Sequence, residues 1–239
     1  MNLRPFLATL FVLFMVSGVG QAFAAPSSTA TSKQAVILSP LEGWMQTWGM
    51  VTYVSLLEHA GYHVDVLLNE QVSISFLKSG LAKYDLIILR TDFFNEESLT
   101  YYCSGEPVTS ETKGTFASEI SAKELKIGAC LGFSTLFLLH NYANGTLQHG
   151  LVYALGGGTS ELSGEFLRAG YSVFIGYDLV FSLQWGRMDA YSQQFLKYLV
   201  RGYSVKDAQV ELRSYLITGH GVTADWPEFR WVGDGDYKI

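Results

Sequence analysis

In the stretch VYALGGGTSEL, residues 152–162, an apolar run breaks into three glycines and then a helix-like segment. The turn after such a strand is where a nucleophile, a phosphate or a cofactor commonly sits. Here it holds Gly156, Gly157 and Gly158, followed by Thr159 and Ser160. Glycine cannot attack a substrate, so the loop offers backbone N–H groups to an anion or is a tight turn. It has no P-loop lysine and no G-x-G-x-x-G spacing. G-x-S-x-G is also absent, which leaves Ser160 and Ser163 without the elbow that activates a serine. The other reactive candidate is Cys130, in GACLGF, a G-x-C-x-G turn that can expose a thiol. His220 follows 90 positions later as the candidate base, because a thiol nucleophile needs one within reach. Cys103 offers the competing fate, a disulfide closing about 27 residues and worth roughly 3–4 kcal/mol.

These residues need a scaffold, and the pattern of apolar runs supplies one. QAVILSP (34–40), HVDVLLN (63–69), DLIILR (85–90), GLVYAL (150–155) and SVFIGYD (172–178) read as strands, with FRWVGDGDYKI as the terminal one. DLIILR is apolar throughout, as expected of a strand buried on both faces. Helical spacing links them: Trp48, Val51, Leu56 and Leu57 before Ala60-Gly61, then VSISFLKSGLAKY, STLFLLHNYANGT, SGEFLRAG, and one or two helices across SQQFLKYLVRGYSVKDAQVELRSYL. Residues 99–130 read as an excursion of two short strands carrying Cys103 and Cys130, whose pairing would staple the excursion to the sheet. Alternating strands and helices predict an α/β fold, a mostly parallel six-stranded sheet with helices on both faces.

Ligands of such sheets bind at the carboxyl ends of the strands. After the first strand come Glu42, Trp44 and Trp48; after the third, Thr91, Asp92 and Phe93; after the fourth, the glycines and Thr159; after the fifth, Asp178. Glu42, Asp92, Gly157 and Asp178 are therefore expected along one acidic, aromatic and glycine-rich edge. The carboxylates could hold Ca²⁺, or could be caps and turn formers. No loop has EF-hand spacing, and His59, His63, His140, His149 and His220 form no zincin pattern. The tryptophans Trp44, Trp48 and Trp185 could stack on a sugar or peptide, or fill the core. The pattern points to no metal and no cofactor.

Residues 1–24 have one cation, Arg4, an apolar run of about 11 residues from Phe6 to Val16, and a close in Ala22-Phe23-Ala24. This is the grammar of a secretory signal peptide cleaved before Ala25, and the run is short for a membrane span. Export to the periplasm or cell exterior is expected, with no stable membrane anchor after cleavage. Residues 25–33 read as a flexible leader, and 34–239 as a single domain. The full chain carries 16 cations against 22 acids. An acidic chain with no basic cluster argues against nucleic acid as a partner.

The runs AGYHVDVLLNEQVSISFLKSGLAKYDLIILR, SGEFLRAGYSVFIGYD, FLKYLVRGYSVKDAQ and FRWVGDGDYKI, in this order, resemble the caspase-like cysteine peptidases, closest in flavour to the gingipain and CHAT branch. The resemblance implies a caspase-like three-layer sandwich over nearly all of residues 34–239. It places a catalytic His after the third strand, at Thr91–Asp92, and a catalytic Cys after the fourth, at Gly157. Neither residue is present. It thus implies a degenerate dyad and a pseudopeptidase that binds a peptide, protein or small molecule. The competing resemblance, of GACLGF to the nucleophile turn of class I glutamine amidotransferases, implies a cysteine-dependent hydrolase or amidotransferase using Cys130 with His220. Against it, TGHGVTADW lacks a His-x-Glu pattern, and KELKI is short and charged for a central strand.

Overall fold

The structure is a computed structural model, and it describes residues 33–42, 48–142, 145–147, 150–178, 185–220 and 229–239. The expected signal peptide, all of the leader but Lys33, and Trp44 lie outside the described residues. Lys33 itself opens the first strand, one residue earlier than the sequence pattern suggested. Residues 32–239 form one compact unit.

The apolar runs form the strands of one sheet: β1 (Lys33–Ser39), β2 (Tyr62–Leu68), β3 (Leu86–Arg90), β8 (Leu151–Leu155), β9 (Val173–Tyr177) and β10 (Phe229–Gly233). The order across the sheet is β10-β9-β8-β3-β1-β2. All pairings are parallel except that of β10 with β9. β3, β8 and β9 are buried along their whole length, as uninterrupted apolar strands must be.

Parallel neighbours require crossovers, and helices supply them on both faces. Alternate strand residues divide between two cores. Val36, Leu38, Ile87, Leu89, Val152 and Ala154 face α2 (Ile74–Ser79), α5 (Thr135–Asn141) and α6 (Ser163–Ala169). Ala35, Ile37, Leu86, Ile88, Leu151 and Tyr153 face α1 (Trp48–His59), α7 (Trp185–Val200) and α8 (Val205–His220). The period of two along β3 therefore sends the next residue of the second set, Arg90, toward α1 and α7. Among the described residues no helix is long and apolar enough to cross a membrane.

The excursion after β3 is larger than expected. β4 (Phe93–Glu96), β5 (Leu99–Cys103), β6 (Leu125–Ile127) and β7 (Leu131–Phe133) form a second, antiparallel sheet in the order β4-β5-β7-β6. Two short helices, α3 (Ser110–Thr115) and α4 (Ala117–Ser121), lie between β5 and β6. The missed hairpin β4–β5 turns on Glu97 and Ser98, at φ +51° and +65°. Those angles usually select Asn or Gly, so Glu-Ser carries no turn signal. β7 is three residues long with Gly132 at its centre, too short to register as a pattern. Gly132 is required there, because a Cβ would lie 2.8 Å from the Phe94 ring and from Cβ of Tyr101.

The Cys103–Cys130 disulfide is present, with 5.6 Å between Cα atoms. Cys103 ends β5 as expected, whereas Cys130 lies in the turn between β6 and β7 rather than on a strand. The bond closes the second sheet on itself and does not staple the excursion to the large sheet.

Candidate functional site

The ends of β1, β3, β8 and β9 bring Glu42, Asp92, Gly157 and Asp178 to the same edge of the parallel sheet. The glycine loop lies against the chain that leaves β3. The Thr91 N–H donates to the Leu155 carbonyl at 3.0 Å. Gly156, at φ +157°, approaches so closely that a Cβ would stand 2.2 Å from the Thr91 carbonyl oxygen. Gly158, at φ +65°, lies under the Phe93 ring, and its carbonyl accepts from the Tyr102 hydroxyl at 2.8 Å. Gly156 and Gly158 are thus fixed by backbone demands. Gly157 is half-buried and has no positive φ.

The polar groups beside the loop have local partners. Thr159 is buried, and its hydroxyl lies 2.9 Å from the Gly156 carbonyl and 3.1 Å from that of Ala154. The same oxygen accepts the Tyr177 N–H at 3.1 Å, tying the loop to β9. Asp92 is exposed, and its Oδ1 accepts the Phe93 N–H at 2.9 Å, the arrangement of a turn former. Asp178 is ion-paired with Nε of Arg230 on β10. Glu42 points elsewhere, to Arg90. The three carboxylates therefore do not converge, and among the described residues no group of three or more His, Cys, Asp or Glu is placed to hold a metal.

The buried centre of this edge is Arg90, which the sequence reading passed over. Its side chain is inaccessible to solvent. Nη2 lies 2.8 Å from Oδ2 of Asp189 on α7, and Nη1 lies 3.2 Å from Oγ of Ser39 and 3.5 Å from Oε2 of Glu42. Both carboxylate side chains are 8% exposed. Taking three charges out of water is tolerable only because they pair and hydrogen-bond. Gly49 makes room for the arrangement, since a Cβ there would stand 2.9 Å from Cγ of Asp189. The Asp189 carboxylate consequently sits against the first turn of α1, where the helix dipole favours an anion.

Hydroxyls extend the cluster into the second core. The Tyr53 hydroxyl donates to Oδ1 of Asp189 at 3.1 Å. Tyr177 and Ser192 hydroxyls lie 2.9 Å apart, and those of Tyr153 and Tyr177 3.5 Å apart. Burial pushes the phenols of Tyr53, Tyr153 and Tyr177 upward, with the Asp189 charge adding to the effect on Tyr53. They are neutral donors at physiological pH. Two sequence signals could have exposed the cluster. One is a cation ending an otherwise apolar buried strand, which needs buried counter-ions. The other is Asp189 and Ser192, three apart on a helix whose apolar face continues through Phe195.

Cys130 holds its sulfur in the disulfide, and no described cysteine is free. A disulfide sulfur is not a thiolate, so it cannot act as the nucleophile in this state. His220 is the last residue of α8, and its side chain lies outside the described ones. No known family model matches the chain, and no curated protein matches it.

Proposed function

We propose that the chain is an exported caspase-like pseudopeptidase, a domain that binds a peptide, protein or small molecule and does not cleave it. The observation that supports this most directly is the placement of Asp92 and Gly157 on adjacent strand ends, where the resemblance puts a histidine and a cysteine. An exposed carboxylate occupied by its own turn cannot ionise a thiol, and glycine supplies none. The two positions stand at the carboxyl ends of their strands, the edge outside which ligands of parallel sheets sit. The disulfide at Cys130 weighs in the same direction, because it removes the remaining thiol.

Incubation of the secreted protein with peptide substrates and thiol-directed peptide inhibitors tests the reading. No turnover and no labelling are expected. Stoichiometric labelling of Cys130 by such an inhibitor overturns the reading in favour of a cysteine-dependent hydrolase.

A further inference from the structure

Among the described residues four strands lie at sheet edges, β10 and β2 in the large sheet and β4 and β6 in the small one. An edge strand leaves a row of backbone N–H and C=O groups open to pairing, and proteins blunt such edges by shortness, charge or irregularity. Three of these four are blunted. β4 has four residues and ends in Glu96, β6 has three with Lys126 at its centre, and β10 carries Arg230 and closes on Gly233 at φ +104°. β2 has neither shortness nor irregularity: its seven residues, YHVDVLL, run in unbroken register with β1 and include no lysine, arginine or proline. The one acid of β2, Asp65, is countered within the chain by Lys83.

The Leu68 N–H leaves the ladder and donates to Oε1 of Gln71 at 3.0 Å. Backbone direction alternates along a strand, so Tyr62, Val64 and Val66 also turn their N–H and C=O groups away from β1. Among the described residues these outward groups have no hydrogen-bond partner. The side chains of Tyr62, Val64 and Val66 pack with the core on the α1 side. His63 and Asp65 project from the other face, with side chains 67% and 34% exposed. Oδ2 of Asp65 accepts from the Tyr84 hydroxyl at 2.7 Å and from the Lys83 ammonium at 3.1 Å. Oδ1 faces Nε2 of His63 in its own strand at 3.7 Å, beyond hydrogen-bond length.

This strand is complementary to itself. When a second β2 pairs with it antiparallel, Val64 opposite Val64, Tyr62 meets Val66 on one face and His63 meets Asp65 on the other. The two-fold axis makes each of these contacts twice. The outward-turned Val64 residues form a hydrogen-bonded pair, and His63 with Asp65 the closer non-hydrogen-bonded pair. The neighbouring registers lack this match. Centring on Asp65 sets two carboxylates directly opposite each other, which is repulsive, and centring on His63 sets imidazole against imidazole.

The geometry points to β2 as a self-association edge, on which two copies of the chain pair antiparallel about Val64 and join their large sheets into one. His63 of each copy donates to Oδ1 of Asp65 in the other. An interface of one strand pair is small, so the dimer is reversible, with a dissociation constant on the order of micromolar. β2 lies on the far side of β1 from β3 and β8, whose ends carry Asp92 and Gly157, so the inference does not rest on the non-catalytic reading.

Sedimentation velocity of the full secreted chain across the micromolar range tests it. A reversible doubling of mass with concentration is expected. His63→Asp, at an exposed side chain, sets carboxylates opposite each other and should weaken association tenfold or more, and Glu111→Gln, on α3, should leave it unchanged. Val64→Cys should give a covalent dimer on mild oxidation, linked between the two residues 64. Opposite Cα atoms of a hydrogen-bonded antiparallel pair lie about 5.5 Å apart, within reach of a disulfide. His63→Cys should not cross-link, because its two copies are offset by two residues along the strands. The cross-link is read on association itself and holds even where His63→Asp fails to fold. A monomer at every concentration, undiminished association of a folded His63→Asp, or linkage through residue 63 in place of 64 overturns the assignment. So does a chain that stays monomeric and takes up an extended synthetic peptide along β2, which gives the edge to a peptide partner instead.

Discussion

Oδ2 of Asp189 lies 2.8 Å from Nη2 of Arg90, although 99 residues separate them in the chain. The contact pins α7 to the end of β3 across the second core. Arg90→Met would leave Glu42 and Asp189 as buried carboxylates without their cation. The expected cost is about 3–5 kcal/mol of folding stability, as for other buried pairs that lose one member. Asp189→Asn should cost less, because the amide oxygen can still accept. Urea unfolding followed by circular dichroism measures both. Equal stability of Arg90→Met and the wild type would show that the pairing contributes nothing.

Replacing both Cys103 and Cys130 by serine should lower stability by about 3–4 kcal/mol, the chain-entropy value for a closed loop of about 27 residues. The loss should concentrate in the second sheet, because β5 meets β7 through only two residue pairs, Tyr102 with Phe133 and Cys103 with Gly132. Hydrogen exchange should accelerate in residues 99–133 before it does in β3 or β8. Thiol titration of the native protein should find no free cysteine, and two after unfolding with a reductant.

The large sheet was legible because its strands are long, apolar and separated by helical spacing. DLIILR and GLVYAL could be placed almost to the residue, and with them the shared edge of Glu42, Asp92, Gly157 and Asp178. The second sheet was legible only in part. Its strands are three to five residues long, its hairpin turns on Glu97 and Ser98, and β7 contains a glycine that exists to seat Phe94. Arg90 was hidden differently. Nothing adjacent to it in sequence reveals that its counter-ions are 48 residues before and 99 residues after it. Pattern reading sees periodicity along one segment, whereas a buried ion cluster is a property of the closed fold.

The three glycines should respond unequally to alanine. At Gly156 a Cβ would stand 2.2 Å from the Thr91 carbonyl oxygen, in a conformation that side chains rarely adopt. Gly156→Ala is expected to cost at least about 2 kcal/mol, or to prevent folding. Gly158→Ala meets left-handed backbone without a close clash and should cost about 1 kcal/mol. Gly157→Ala meets no left-handed backbone and should cost the least of the three. Thermal melts of the three variants check the order.

Acid should weaken the contact between α2 and α4. A hydrogen bond from Lys78, supported by Ser118, lowers the Glu119 carboxyl from 4.5 to about 2. The folded protein therefore holds this proton less readily than the unfolded chain does. The stabilisation is complete above about pH 4.5 and disappears as pH falls toward 2. Lys78 is about one-third exposed, so screening reduces the effect to the order of 1 kcal/mol. The difference in melting temperature between the wild type and Glu119→Gln should shrink over that interval and be constant from pH 5 to 7.

The strongest test of the pseudopeptidase reading is to restore the two groups that the resemblance puts at the edge. Gly157 has no positive φ, so its backbone does not exclude cysteine, whereas Gly156 and Gly158 have conformations that side chains rarely adopt. In Asp92→His with Gly157→Cys, a base and a thiol would sit on adjacent parallel strand ends. A protonated imidazole within reach stabilises the thiolate and lowers the pH at which the thiol reacts. The rate of alkylation should therefore rise at lower pH in the double variant than in Gly157→Cys alone. Peptide turnover should be weak or absent in both, because general-base help without a matching substrate pocket recovers only part of a catalytic rate. Identical pH profiles for the single and double variants, with both folded, would mean that residues 92 and 157 do not face one another, and the caspase-like assignment would fall with them.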